Sequence, residues 1–171
     1  MDETGFLLQP LNRRTWAPRG RRPQQRAWQR HDRLSVIASL HVSPRRHLGH
    51  CFRIHSHNVR TAEVVKYLRD LHRQLGRKLI VVMDRLPAHR SAVRRLQNAG
   101  ATWLAVEWLP GYAPELNPVE AHWSCSKYSR LANYVPNHID DLYDAVTEAV
   151  GDAALDQALL RSFFQSARLR L

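Results

Sequence analysis

Three carboxylates stand out by the sequence that surrounds them. Asp2 precedes the first strand-like segment, Asp84 closes the apolar run Leu79-Ile80-Val81-Val82-Met83, and Glu120 opens a helical pattern after Pro110-Gly111-Tyr112-Ala113-Pro114. Hard divalent cations such as Mg²⁺ take oxygen ligands, usually a few carboxylates with phosphate and water. A pair of such ions can activate a water or hydroxyl and stabilise the leaving oxygen of a phosphoryl transfer. Three carboxylates brought by separate elements to one sheet edge would form that clamp. Each has a plainer role open to it. Asp84 stands where a cap for the next helix would stand. Asn117, Pro118 and Glu120 fall at the N-cap, N1 and N3 positions of a capping box. Asp2 lies at a terminus, where fraying is the ordinary outcome.

A second group of residues is basic. Arg13, Arg14, Arg19, Arg21, Arg22, Arg26, Arg30 and Arg33 surround Trp16 and Trp28. Basic charge with interleaved aromatics suits phosphate contact and base stacking; a solvated loop whose tryptophans pack on the domain accounts for the same pattern. Residues 1–60 hold 12 Arg, no Lys and 3 acids, so they carry about +9 of the chain's formal +11. Guanidinium favours bidentate phosphate contact, although a GC-rich genome also produces 23 Arg against 3 Lys. The indicated partner is a polyanion, and nucleic acid leads. His41, His47, His50, His55 and His57 lie mostly on strands, without Cys partners or the spacings of a structural zinc site.

The elements that must position these groups follow from periodicity. The 171 residues suit one domain, and 44% hydrophobic residues suffice for a core. No run approaches the roughly 18 apolar residues of a transmembrane helix. Met1-Asp2-Glu3 lacks the basic start of a secretory signal. Cys51 and Cys125 form no disulfide framework, which fits a reducing cytosol. Gly5 to Leu8 reads as a short strand and residues 10–33, rich in Pro and Gly, as a long loop or arm. Leu34, Val36, Ala38, Leu40 and Val42 share one face of a half-buried strand. A turn at Ser43-Pro44 leads to a return strand through Leu48, Phe52 and Ile54. Val64, Leu68, Leu71 and Leu75 repeat at helical spacing, with Thr61 as cap and Gly76 as stop. The run 79–83 reads as a strand buried on both faces. A helix over 91–98, a strand over 103–109, and helices near 118–131, 138–150 and 153–168 complete the order, with Gly151 dividing the last two. Three antiparallel strands followed by α/β crossovers predict an α/β fold with a mixed sheet and helices on both faces. Sites in such sheets form beyond the carboxyl ends of strands, where Asp84 lies.

Longer strings carry a resemblance. Asp2-Glu3-Thr4-Gly5-Phe6 with Arg14-Thr15-Trp16-Ala17-Pro18-Arg19-Gly20 resembles the opening of the catalytic domain of mariner-related bacterial insertion-sequence transposases. Met83-Asp84 to His89 is similar to their second motif. Leu109-Pro110-Gly111-Tyr112-Ala113-Pro114-Glu115-Leu116-Asn117-Pro118-Val119-Glu120 with Trp123 is similar to the third motif of the insertion-sequence-630 type, within the DDE superfamily. The resemblance runs in order over about residues 2–150. It implies a ribonuclease H-like fold over a single domain, 1–171, in which Asp2, Asp84 and Glu120 bind metal. The ions would be Mg²⁺ or Mn²⁺, two of them with DNA bound. It further implies cleavage of phosphodiesters at transposon ends and strand transfer to target DNA in the cytoplasm of a bacterium, at the nucleoid. His89, Asn117 and Trp123 become residues that support the ligands or touch DNA, and Arg13, Arg14, Trp16, Arg19, Arg21 and Arg22 become DNA-binding. Double-stranded DNA is the implied partner; a homodimer and an upstream-frame DNA-binding product are further partners to test.

Two features depart from the family pattern. Arg85 follows Asp84 where the family usually has Asn, and a guanidinium there competes with metal if it pairs with the carboxylate. The chain also begins one residue ahead of Asp2, without the preceding strand segment and the helix-turn-helix region of family members. A truncated or second-frame product is therefore one expectation, and a catalytically inactive, basic DNA-binding remnant is the alternative to an active enzyme.

Overall fold

In a computed structural model, which describes residues 1–25 and 32–170, the alternating segment forms β2 (Arg33–Val42). It lies between β1 (Asp2–Leu7) and β3 (Leu48–His55), antiparallel to both, with Asp2 opposite Ala38 and Val42 opposite Leu48. A second, parallel pair follows: β4 (Leu79–Met83) and β5 (Leu104–Trp108), with Leu79 opposite Leu104. The Met1 amine donates to the Val82 carbonyl at 2.9 Å, which ties the start of β1 to β4.

Helices cover the sheet from two sides. On one side lie α1 (Thr61–Leu75) and α2 (Pro87–Asn98). Their apolar stripes, including Val64, Leu68, Leu71, Ala92, Val93 and Leu96, close over Ile37, Val81 and Met83. On the other side, α3 (Pro118–Cys125) and α4 (Ile139–Gly151) set Val119, Trp123, Leu142, Val146 and Val150 on Phe6, Leu34, Val36 and Ala38. Helix α5 (Gln157–Ser166) closes the end of that layer with Leu160, Phe163 and Phe164 against Leu48. Burying a side chain of this size stabilises by about 1.5–3 kcal/mol. Ile37 is fully buried, so Ile37→Ala costs about 2–5 kcal/mol, cavity included. Gly76 ends α1 at φ 63°, a left-handed conformation that glycine adopts without a Cβ clash.

The mixed α/β order with helices on both faces is as the sequence predicts, and several local readings change. Asp2 lies inside β1 rather than ahead of it. Strand β2 is buried on both faces through Ser39, not half-buried, because the Ser39 hydroxyl pairs with Tyr67 at 2.7 Å beneath α1. Strand β4 is covered on one face only. Val81 and Met83 are buried while Ile80 is 76% and Val82 46% exposed, since α3, α4 and α5 pack over the antiparallel strands instead. Helix α1 is capped by Arg60, whose amide donates to Glu63 at 2.9 Å, with Thr61 at the first helical position. Helix α2 starts at Pro87, four residues early, as suits proline at N1. After Cys125 the chain widens into a π-turn, Ser126–Arg130. Gly151 ends α4, and Asp156 rather than Gly151 divides the last helices, its side chain accepting the Leu159 amide at 2.9 Å.

Candidate active site

Strand alternation sends the neighbours Asp2 and Glu3 to opposite faces of the sheet. Asp2 turns to the α3 side, where the Trp123 indole N–H donates to Oδ2 at 3.3 Å and the Glu3 amide donates to Oδ1 at 2.9 Å. Trp123 is itself fixed edge-on against Phe6, with ring centroids 6.4 Å apart. Burial, and then the Glu120 carboxylate, push the Asp2 carboxyl up to about 7. Glu120 reaches this place because Asn117 starts α3, accepting the Val119 amide at 3.2 Å, with Pro118 at N1. The cap of the predicted capping box forms. Its reciprocal half does not, for among the described residues the Glu120 side chain makes no hydrogen bond back to Asn117, and it stays exposed. Lys127 lies on the same side, donating to the Thr4 hydroxyl with its ammonium 5.4 Å from the Phe6 ring centre. Burial lowers its affinity for the proton, and the charges of Glu120 and Asp2 oppose that shift.

Glu3 turns to the α2 side. His89, in the first turn of α2 and fully buried, sets Nε2 2.7 Å from Glu3 Oε2 and Nδ1 2.5 Å from Asp84 Oδ1. Burial alone would lower the basicity of this ring, but the Glu3 hydrogen bond and the charges of Glu3 and Asp84 outweigh it and raise it. The Leu86 amide also donates to Asp84 Oδ1, at 3.1 Å. Asp84 thus organises the β4–α2 turn, and its ionic partner is His89 while Arg85 is exposed.

Asp2 and Glu120 therefore interact, and Asp84 follows β4 next to the start of β1. Among the described residues no three His, Cys, Asp or Glu side chains converge closely enough to hold an ion as they stand. Like charges account for this: Asp2 and Glu120 repel each other, and one oxygen of Asp84 is turned to His89. The donors are all carboxylate oxygens, the set that suits Mg²⁺ or Mn²⁺.

The basic arm is irregular. It meets the domain through a bridge between Leu11 and Ala132 and through the Arg13 amide, which donates to Asn133 Oδ1 at 2.8 Å. The Arg13 guanidinium sits 5.3 Å over the Tyr128 ring. Arg14, Arg19, Arg21 and Arg22 are exposed, and Trp16 is 99% exposed rather than packed on the domain. Arg26, Trp28 and Arg30 lie outside the described residues. Among the histidines, His50 packs edge-on to His122 at 4.6 Å and stacks on Phe52. Burial drives His50 down to about 3 and His122 down to about 4.

Sequence reasoning passed over two residues of this site. Lys127 stands seven residues after Glu120, two helical turns on, a spacing that returns to the same face. Glu3 was hidden by its adjacency to Asp2, although strand alternation assigns it to the opposite side.

A three-stranded antiparallel sheet and a parallel strand pair, flanked by helices on both sides, define the ribonuclease H-like class of fold. The chain belongs to the DDE superfamily endonuclease family, which it matches over residues 1–142. The fold is similar to Mos1 transposase in a paired-end complex with the left transposon end, at 17% identity and a TM-score of 0.65, covering 98% of this chain and 50% of that one. It is also similar to the Mos1 mariner paired-end complex with Mn, at 16% identity and a TM-score of 0.67, covering 98% and 52%. The Mos1 paired-end complex with Mg gives 16% identity and 0.60, covering 97% and 52%. The chain thus spans about half the length of these solved chains. No curated protein matches it in sequence. No helix among the described residues is long and apolar enough to cross a membrane.

Proposed function

We propose that residues 1–171 are a single catalytic domain of a transposase of the insertion-sequence-630 type, acting on bacterial DNA. Its reaction is divalent-cation-dependent cleavage of phosphodiesters at transposon ends, followed by strand transfer to target DNA. The observation that carries this reading is the pairing of a buried Asp2 with Glu120. A buried carboxyl whose charge is disfavoured by burial and by a neighbouring carboxylate is short of positive charge, and a divalent cation supplies it. Asp2, Asp84 and Glu120 would hold the ions, Mg²⁺ or Mn²⁺. When bound, these would polarise the scissile phosphate and lower the cost of charge on the attacking and leaving oxygens. Trp123 fixes the orientation of Asp2, Asn117 fixes the start of α3 and hence Glu120, and His89 fixes Asp84. Arg13, Arg14, Trp16, Arg19, Arg21 and Arg22 would follow the DNA backbone beside them, with Trp16 free to stack on a base. The structures of Mos1 with transposon-end DNA, Mn and Mg support the substrate class and the metals.

The test is nicking of terminal-repeat DNA with and without Mg²⁺ or Mn²⁺. Wild-type chain should nick only with the ion, and Asp84→Ala and Glu120→Ala should abolish nicking while DNA binding persists. Unchanged nicking in both variants overturns the assignment of the acids. Retained binding with no nicking by the wild type identifies the inactive DNA-binding remnant instead.

A further inference from the structure

The hydrogen bonds of His89 reach both the turn that carries Asp84 and the strand that carries Asp2. We infer that Glu3 and His89 form a positioning bridge, Glu3–His89–Asp84, which sets the orientation of Asp84 and its distance from Asp2 before any cation binds. This rests on the reading of Asp84 and Asp2 as metal ligands.

Asp84 lies in the turn after β4, where a short side chain on a loop has rotameric freedom that a metal site must remove. Its Oδ1 accepts from two donors, the Leu86 amide at 3.1 Å and His89 Nδ1 at 2.5 Å. That leaves Oδ2 as the oxygen available to an ion. His89 cannot drift, because it is fully buried and α2 is packed through Ala92, Val93 and Leu96. Its ring cannot rotate either, since Nε2 is held at 2.7 Å by Glu3. Glu3 in turn sits on β1, paired opposite Ile37, one residue from Asp2. The bridge therefore joins two proposed ligands by rigid elements: Asp2 through one peptide unit to Glu3, and Asp84 through one hydrogen bond to His89. Both ring nitrogens face carboxylate oxygens, so the ring is held from both ends. Carboxylates and histidines that orient ligands from behind change metal affinity by about 10–100-fold when removed. Glu3 and His89 touch neither substrate nor ion in this scheme; they are positioning residues.

The experiment counts free Mn²⁺ by electron paramagnetic resonance against the whole chain and the variants Glu3→Gln, His89→Gln and Asp84→Asn, with urea unfolding midpoints measured beside it. Asp84→Asn is the control for the underlying reading; if it leaves Mn²⁺ affinity unchanged, Asp84 is not a ligand, and that reading fails independently of the bridge. If Asp84→Asn weakens binding, the bridge expects Glu3→Gln and His89→Gln to weaken it by about 10-fold or more as well. Affinity kept within twofold in both variants overturns the bridge, whatever their stability. Glu3→Gln changes no side-chain volume to speak of, so it reports even where His89→Gln folds poorly. A readout on the metal-free chain is the histidine ring spectrum. His89 ring signals that shift in both Glu3→Gln and Asp84→Asn support the bridge. Ring signals unmoved by either change refute it.

Discussion

Asp2 and Glu3 are consecutive acids on one strand, and the two faces of the sheet treat them in opposite ways. On the α2 side, Glu3 meets a histidine that also holds Asp84, so both carboxylates are answered by ring nitrogens, at 2.5 and 2.7 Å. On the α3 side, Asp2 is buried near Glu120 with an indole N–H and one half-buried lysine, and its carboxyl is pushed up to about 7. One side is organised by direct hydrogen bonds. The other keeps an electrostatic deficit, which costs stability in the folded protein and is where a cation gains most. The basic arm attaches on this second side, through Tyr128, Ala132 and Asn133 just beyond α3.

The largest expected effect comes from erasing the deficit. Asp2→Asn should reduce metal-dependent nicking by about 100-fold or more, the loss of several kcal/mol of charge stabilisation. The same change should stabilise the metal-free chain at pH 8. Because the folded value of Asp2 stands above its ordinary 3.8, the folded state holds this proton more tightly than the unfolded one. Stability associated with it is complete below about pH 4 and declines as pH rises towards 7. Asparagine removes that decline, so its melting temperature should exceed wild type by several degrees at pH 8 and match it near pH 4. Thermal melts at the two pH values check this, and a lower melting temperature at pH 8 would break the contrast between the faces.

A second test uses the histidines, whose signs differ between the sides. His50 and His122, on the α3 side, have ring nitrogens without partners among the described residues and are driven down to about 3 and 4 by burial. Their stability is complete above the ordinary 6.5 and is lost as pH falls towards those values, at up to about 1.4 kcal/mol per pH unit for each ring. His89 moves oppositely: its raised value gives stability present below 6.5 and lost at higher pH, as the proton leaves the bridge. Urea midpoints from pH 7 to 4 should therefore fall less steeply for His50→Phe than for wild type. An unchanged acid slope would show that His50 is not held neutral.

The arm gives a smaller effect on affinity that reports which side meets DNA. Replacing Arg19, Arg21 and Arg22 by Gln should reduce the salt dependence of duplex binding, with the log–log slope falling by about 0.9 for each phosphate that is no longer neutralised. Fluorescence anisotropy between 50 and 200 mM salt, as a rough working range, measures it; an unchanged slope removes the arm from the interface.

Much of this was legible from residue order. The switch from alternation at 34–42 to helical spacing at 64–75 gave the α/β class, because period 2 and period 3.6 expose different faces. Asn117-Pro118 gave the start of α3, since capping is local. What escaped depended on contacts distant in sequence. The apolar run 79–83 looks the same whether one face or two are covered, and only the placement of α3, α4 and α5 over the antiparallel strands decides it. Glu3 and His89 are 86 residues apart, and nothing in either neighbourhood announces the other. Asp2 is read as a frayed end from position alone, yet Trp123, 121 residues away, holds it.

The finest test separates the two sides with one residue. Lys127 is the side chain whose positive charge lies near both Asp2 and Glu120, and Lys127→Met keeps most of its apolar stem against Phe6. Without the ammonium, the charge deficit on the α3 side deepens, so the metal-free variant should lose about 1 kcal/mol at pH 8, as for a partly screened ion pair. Mn²⁺ should restore more stability to this variant than to wild type, because a competing cation is gone. The His89 ring signals should stay where they are, since Thr4 and Lys127 lie on the opposite face from Glu3. Urea midpoints with and without Mn²⁺, read beside the ring spectrum, test both statements at once. A His89 shift on removing Lys127 would mean that the two acids of β1 are electrostatically coupled through the sheet rather than separated by it.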